Sequence, residues 1–391
     1  FYSTLVFPSA VVVIEYALSL VIGIWGNGSL AQYHNSNLIH ITSLIGVYGI
    51  SFLIAWLAST LNWMVKNEVK SKRLLMGLGI YGIVIVTVLL FGLIRKKTAP
   101  VMLDTVKVAA IVGETDIHHV FDNWEEEIIG LSKNNDHEIP LGVYSDSPAL
   151  ESLIERTEEA ISNGAEIVVW NEISLLLRPS QTDTIVERIK DLCTTYQAYV
   201  LIAVLEKNSG DLPMPFDNKS ILVNPDGEIS WEYLKHFLNP LEGLVINKGS
   251  GPIPYIDTEY GRIANVICSD LDLSAYIFQI GKKSVDILLV PAYDWEAVTP
   301  YHSHMAAFAA IQYGVNIVRA NGKGIVAFYD NRGNVLLQNN TFTSEAKITY
   351  ADIPQTKATT LYSSIGNLFV HGLIVFLLVM IGLRFSKKVD I

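Results

Sequence analysis

The chain of 391 residues predicts an α/β sandwich of mixed sheets held between transmembrane helices. Three observations lead to that class. Half of the residues are hydrophobic and the mean hydropathy is +0.33, yet the apolar excess sits at the two ends while the middle has ordinary polarity. In the middle, short β-branched runs alternate with helical periodicity and with hairpin turns, as a mixed sheet covered by helices requires. Several of those runs stop at a lone polar side chain, at the strand end where open α/β folds place their chemistry.

Four stretches are long and apolar enough to span a bilayer, which needs about 20 residues. They are Leu5–Trp25, Thr42–Trp63, Leu74–Ile94 and Ile365–Leu383. The first carries Pro8 and Glu15, and an acid within a span is expected to face a bundle interior or a water-filled cavity. Gly46 and Gly49 place small residues three apart, as close helix packing wants. Lys66, Lys70, Lys72 and Arg73 crowd one connection, and Arg384, Lys387 and Lys388 follow the last span. Cytoplasmic placement of both basic segments sends the middle region outside. Arg95, Lys96 and Lys97 argue the other way, but a large following domain can translocate regardless of local charge. The chain opens on Phe1, already within apolar sequence, so a segment upstream is expected.

From Val106 the periodicity changes. Strands are expected at Val106–Val112, Glu166–Trp170, Ala198–Leu205, Ser220–Val223, Glu228–Leu234, Arg262–Ile267, Asp286–Pro291 and Asn316–Arg319. A closing hairpin pairs Gly324–Tyr329 with Asn334–Gln338 across Asp330-Asn331-Arg332-Gly333. Helices are expected at Ala149–Asn163, ended by Asn163-Gly164 as a helix C-terminus should be, and at Thr182–Tyr196, Ser274–Lys283 and His302–Tyr313. Asn224-Pro225-Asp226-Gly227 is a strong turn signal between two strands.

The formal net charge of −11 argues against nucleic acid as a partner. Two cysteines, Cys193 and Cys268, make no disulfide framework. There is no ligand-spaced His/Cys cluster and no phosphate-binding glycine loop, so neither metal nor other cofactor is expected. Cys193 falls mid-helix and reads as packing.

Three polar side chains follow apolar strands: Glu172, Lys235 and Cys268. A thiol is only partly ionised at neutral pH and needs a base or a nearby cation to attack. A buried carboxylate can take its proton, and an ammonium can stabilise both the thiolate and a tetrahedral oxyanion. Each residue alone is more often structural, a solvated strand end for Glu172 or Lys235 and a small buried hydrophobe for Cys268. Three in this arrangement point to acyl chemistry.

Val168-Val169-Trp170-Asn171-Glu172, Tyr233-Leu234-Lys235-His236-Phe237 and Val266-Ile267-Cys268-Ser269-Asp270 resemble the three Glu–Lys–Cys motifs of the nitrilase, or carbon–nitrogen hydrolase, superfamily. The apolar ends, with Trp25-Gly26-Asn27, the Gly46–Phe52 run and Asn239-Pro240-Leu241-Glu242-Gly243, are similar to the apolipoprotein N-acyltransferase branch. Asn171 stands where the family usually has proline, and Ser269 where an aromatic usually follows the cysteine. Glu242 lies one residue nearer to Lys235 than the family spacing. Arg319–Gly324 resembles a family run with its asparagine displaced by one.

The resemblance implies a nitrilase-like α-β-β-α sandwich domain at 103–355, membrane helices at 1–102, and a C-terminal span with a basic tail at 356–391. It implies catalysis by Glu172, Lys235 and Cys268, with support from Glu242 and Asp270; Tyr293 and Trp295, on the loop after Asp286–Pro291, are read either as a cover over the pocket or as simple packing at a sheet end. The implied reaction moves an acyl chain from a phospholipid through a Cys268 thioester to the N-terminal amine of a diacylglyceryl-modified lipoprotein. The implied location is the inner membrane, with the catalytic region on the extracytoplasmic side of the lipid bilayer. Two rival readings remain at this point: a membrane-anchored amidase that hydrolyses a small amide, and a non-catalytic membrane protein that binds a lipid or a partner.

Overall fold

The computed structural model describes residues 2–66, 71–98, 104–113, 147–208, 213–356 and 358–389. Lys70 lies outside them, as do the side chains of Lys66, Lys72, Arg73, Lys387 and Lys388.

Four helices are long and apolar enough to cross a membrane, over Ser3–Ile22, Tyr48–Val65, Gly77–Lys97 and Leu368–Phe385. They belong to α1 (Val6–Ile22), α3 (Tyr48–Lys66), α4 (Ser71–Lys97) and α10 (Leu368–Val389). The expected spans are all present, but the helices of the second and fourth start later than the sequence suggested, at Tyr48 and Leu368. The second is split: α2 (Thr42–Ile45) stops at Gly46, whose φ of +73° only glycine adopts freely, and α3 begins after it. Gly46 and Gly49 are therefore not a small-residue stripe on one helix. A Cβ on Gly46 would lie 2.5 Å from the ring of Tyr362, so this glycine admits the chain that leads into the last span. That segment is itself broken at Gly366, between α9 (Leu361–Ile365) and α10. Glu15 on α1 accepts the Gly28 N–H at 3.1 Å, capping the loop that follows the first span.

The middle forms two stacked sheets. The first has the order β13-β1-β2-β4-β5-β6, with the two-residue β3 (Leu176–Leu177) beside β4. Its members are β1 (Thr105–Ile111), β2 (Ile167–Trp170), β4 (Tyr199–Lys207), β5 (Phe216–Val223), β6 (Ile229–Leu234) and β13 (Ile348–Pro354). The second runs β12-β11-β10-β9-β8-β7, built from β7 (Tyr255–Thr258), β8 (Gly261–Asn265), β9 (Ile287–Ala292), β10 (Asn316–Asn321), β11 (Ile325–Tyr329) and β12 (Val335–Asn340). In each sheet three central strands are parallel and the outer ones antiparallel.

Alternating apolar residues divide the faces, because successive side chains of a strand point to opposite sides. Val106, Val108 and Ala110 join Ile287 and Leu289 in the core between the sheets. Ala109 and Ile111 point outward, into a second core under α5 (Ser147–Ser162) and α6 (Pro179–Tyr196). The outer face of the second sheet is covered by α7 (Ser274–Lys282) and α8 (Tyr301–Tyr313). The result is the expected α-β-β-α sandwich. Cys193 on α6 is fully buried in the outer core, as its packing role requires.

One strand ends earlier than its apolar run suggested. β8 stops at Asn265, not Ile267, because the Asn265 amide and the Val266 N–H share the Leu289 carbonyl and end the ladder to β9. Strands β3, β7 and β13 were not foreseen. Tyr255–Thr258 is half exposed and polar, and Ile348–Pro354 alternates too weakly to stand out from the loop before it.

Candidate active site

The carboxyl ends of β2, β6, β8 and β9 converge on one rim. Glu172 follows β2 by two residues, Lys235 follows β6 directly, and Cys268 follows β8 by three. The peptide after Glu172 and the cysteine itself adopt left-handed backbone, with φ of +51° at Ile173 and +48° at Cys268. A β-branched residue and a cysteine avoid that region, at a cost of about 1–3 kcal/mol each where the surroundings enforce it. Both turns re-aim a side chain into the rim.

Lys235 is buried and donates to Glu172 Oε1 at 2.8 Å and to Glu242 Oε1 at 2.5 Å. Glu172 Oε1 also accepts from Asn218 Nδ2 at 2.8 Å, and Glu242 Oε2 from the Asn239 N–H at 2.9 Å. Burial works against the Lys235 charge, but the carboxylates of Glu172 and Glu242 outweigh it and hold the ammonium well above the ordinary lysine range. For Cys268, burial and then the Glu172 carboxylate push the thiol well above its ordinary range, and Lys235 offsets only part of this. The thiol therefore rests protonated.

Asp270 does not face the thiol. It accepts the N–H groups of Ile267 (2.9 Å), His236 (2.9 Å) and Phe237 (2.6 Å) and the Tyr233 hydroxyl (2.7 Å). It thus staples the turn of Cys268 to the segment carrying Lys235. Burial lifts it to about 6 against those hydrogen bonds. The two family departures are also structural. Asn171 Oδ1 accepts the Gly113 N–H at 2.7 Å, and Ser269 Oγ donates to the Phe237 carbonyl at 2.9 Å.

A cavity of about 340 Å³ opens over Cys268, bounded by Lys235, Glu242 and Trp295 and, from the end of the first span, by Val21, Ile22 and Trp25. A larger and mostly apolar one of about 680 Å³ adjoins it on the side of Glu172, walled by Leu205, Phe216 and Ile246. Tyr293, Trp295 and Glu242 line both. Every side chain expected at the site from sequence is thus at this rim or braces it.

The sequence reading missed a second buried group behind the thiol. Arg319 on β10 grips Asp294 with both terminal nitrogens at 2.9 Å, and Asn321 donates to Asp294 Oδ2 at 2.7 Å. His302, near the start of α8, places Nδ1 2.6 Å from Asp294 Oδ1 and Nε2 3.1 Å from Asp272 Oδ2. Cys268 Sγ and ligand atoms of Asp294 and His302 lie within 4.8 Å of one another. Burial disfavours the imidazolium, but Asp272 and Asp294 raise His302 to about 9, with the Arg319 guanidinium opposing. A cluster of thiol, imidazole and carboxylate could in principle ligate a metal, but Asp294 and His302 are already tied to Arg319 and to each other.

The Carbon-nitrogen hydrolase family model matches residues 136–361, and the Apolipoprotein N-acyltransferase N-terminal domain model matches residues 1–60. The chain is similar to the apolipoprotein N-acyltransferase of Geobacter metallireducens, 23% identical over 98% of this chain and 74% of the relative. It is 27% identical to that of Rickettsia typhi, over 88% of this chain and 68% of the relative. Among solved structures, an amidase from Nesterenkonia sp. superposes with a TM-score of 0.50 at 14% identity, covering 70% of this chain and 98% of the amidase, a likeness of fold. The chain belongs to the carbon–nitrogen hydrolase family, in the branch whose membrane half is that of the apolipoprotein N-acyltransferases.

Proposed function

We propose that this protein is an integral-membrane N-acyltransferase that works through a Cys268 thioester, taking its acyl chain from a phospholipid and giving it to the N-terminal amine of a diacylglyceryl-modified lipoprotein. The observation that carries the reading is the buried Lys235–Glu172 pair in a cavity that opens over Cys268 and is walled by the end of a membrane span. The relatives' names supply the N-acyl transfer and the apolipoprotein acceptor, and the phospholipid donor is this proposal's own.

The geometry supports a defined division of labour. Because the thiol rests protonated, Glu172 takes its proton as the sulfur attacks the ester carbonyl. An ammonium has three donors, and Lys235 directs two at Glu172 and Glu242. The third is left for the oxyanion, where a fixed charge in a dry site acts strongly. Glu242 holds the ammonium from the side opposite Glu172, and Asp270 keeps the lysine segment and the cysteine turn in register. Lysophospholipid then leaves with the proton held by Glu172. The acyl-enzyme waits in apolar surroundings until an amine displaces the sulfur. Tyr293 and Trp295 cover the junction of the two cavities. In this proposal residues 103–355 form the catalytic unit, on the extracytoplasmic side of the inner membrane, between the membrane segments 1–102 and 356–391.

The test is to incubate purified protein with phospholipid labelled in its acyl chains and no acceptor. The label should appear on Cys268 as a hydroxylamine-labile thioester, and Cys268→Ala should abolish it. An alanine variant that acylates a lipopeptide as fast as the parent overturns the scheme.

A further inference from the structure

Of the carboxylates lining the cavity over Cys268, Asp272 alone has an oxygen that is buried without a hydrogen-bond partner among the described residues. Its side chain is fully buried. Oδ2 is occupied by the Trp25 indole N–H, which donates to it at 2.9 Å; His302 Nε2 lies 3.1 Å from Oδ2 as an ion-pair neighbour and makes no hydrogen bond among the described residues. Oδ1 accepts from no described residue. The other two acids have no such oxygen. Asp294 is held by Arg319, Asn321 and His302, and Glu242 by Lys235 and the Asn239 N–H.

A buried carboxylate oxygen without a donor is costly, so its presence on a residue lining the cavity over Cys268 asks for a ligand that supplies one. The charge balance says of which sign. Around the thiol, the carboxylates of Glu172, Glu242, Asp272 and Asp294 outnumber the cations Lys235, His302 and Arg319 by one, and Asp270 behind the turn adds a further acid. The backbone position is fixed as well. The Asp272 carbonyl accepts the Ile24 N–H at 3.0 Å, and the acid closes the short helical turn that begins at Cys268, so it cannot drift from the sulfur.

We infer that Asp272 Oδ1 is the receptor for a primary ammonium group, that of the amine which receives the acyl chain. This rests on the thioester reading above and deepens it. As the C–N bond forms between the amine nitrogen and the thioester carbonyl carbon, Asp272 Oδ1 takes one proton from the ammonium. The tetrahedral adduct passes a second proton to Glu172. The C–S bond then breaks with its electron pair on sulfur, and Glu172 returns that proton to Cys268. Asp272 releases its proton to water, so one proton is liberated for each amide made. A phospholipid with an ethanolamine headgroup carries the same ammonium, and the test separates the two sources.

The experiment loads the full-length parent and Asp272→Asn with labelled acyl chain from phosphatidylethanolamine or phosphatidylglycerol. It then follows decay of the thioester with a diacylated lipopeptide or with hydroxylamine, which is uncharged at neutral pH. Transfer to the lipopeptide should fall about tenfold or more in the variant, the loss expected for one charge-assisted hydrogen bond. Decay with hydroxylamine should be unchanged, which a folding defect would not allow. If instead loading falls only with the ethanolamine lipid, the ammonium held is the donor's. Equal loss with both nucleophiles, or no loss with either, overturns the inference. In the parent, a lipopeptide analogue with hydroxyl in place of the amine should bind about tenfold more weakly than the amine, and equal binding overturns the inference without any variant. Absence of any thioester in the parent would instead overturn the proposed function.

Discussion

The Lys235 ammonium lies 2.8 Å from Glu172 Oε1 with both side chains 2% exposed, while Glu242, its second partner, is 14% exposed. The pair is sealed and its second support is not. Removing one member of a buried ion pair leaves the other charge stranded, at a cost of about 3–5 kcal/mol. Lys235→Met should destabilise the protein by that order and abolish thioester formation. The double variant with Glu172→Gln should recover part of the stability and none of the activity. Thermal melts in detergent beside thioester labelling would check both. A double variant as unstable as Lys235→Met would contradict the coupling.

Cys193 and Cys268 should differ in reactivity for a stated reason. Burial among the apolar side chains of the outer core pushes the Cys193 thiol up to about 12. Cys268 is also raised, but it lines a cavity and neighbours Glu172 and Lys235. An acylating lipid probe should modify Cys268 only, as peptide mass mapping would show. Modification of Cys193 at a similar rate would refute this.

Stability should depend on pH through His302. Its folded value of about 9 exceeds the ordinary 6.5 because Asp272 and Asp294 outweigh burial. The folded state therefore holds a proton that the unfolded chain gives up. The stabilisation is complete below pH 6.5 and is lost as pH rises through 9. His302→Gln should flatten that slope of melting temperature between pH 6.5 and 9.

Asp270→Asn keeps the shape of the staple but removes acceptor capacity facing three backbone N–H groups and the Tyr233 hydroxyl. A loss of about 1–3 kcal/mol of stability is expected for a donor left unmatched. The maximal rate should fall more than the apparent affinity for phospholipid, since the variant moves Lys235 relative to Cys268 and leaves the cavity walls in place.

Gly23 closes the first span with φ of +68°, and a Cβ there would sit 2.8 Å from Asp272 Cβ. Gly23→Ala adds about 1–2 kcal/mol of left-handed strain to that clash. It should lower thioester transfer although no reacting group is altered, and a variant as active as the parent would contradict the contact.

What was legible in the sequence follows from what makes a local signal. β-branched runs announced β2, β4, β8 and β9, because a buried strand must be continuously apolar. A strand end followed by a lone charge announced Glu172, Lys235 and Cys268. His302, Asp272 and Asp294 gave no such signal. His302 sits on a helix buried on nearly every side, where a polar residue breaks no amphipathic stripe. Asp272 and Asp294 lie in loops rich in other polar residues, and their importance comes only from a meeting of four distant segments. Arg319 was visible as part of a family-like run, and its partner was not. The Gly46–Gly49 spacing misled because two glycines three apart look alike whether they lie on one helix or, as here, one of them breaks it.

Helix α8 has a consequence for any attempt to separate the two halves. Its His302 reaches the thiol, while Met305, Phe308 and Ile311 sit in one apolar cluster with Val12, Val47, Tyr48 and Val370 of the membrane helices. A water-soluble fragment cut at the first sheet would bare that flank of the helix and loosen the imidazole at its other end. The sandwich half is therefore not a detachable unit tethered for convenience. The bilayer-embedded helices are part of the scaffold that keeps its reacting groups aligned.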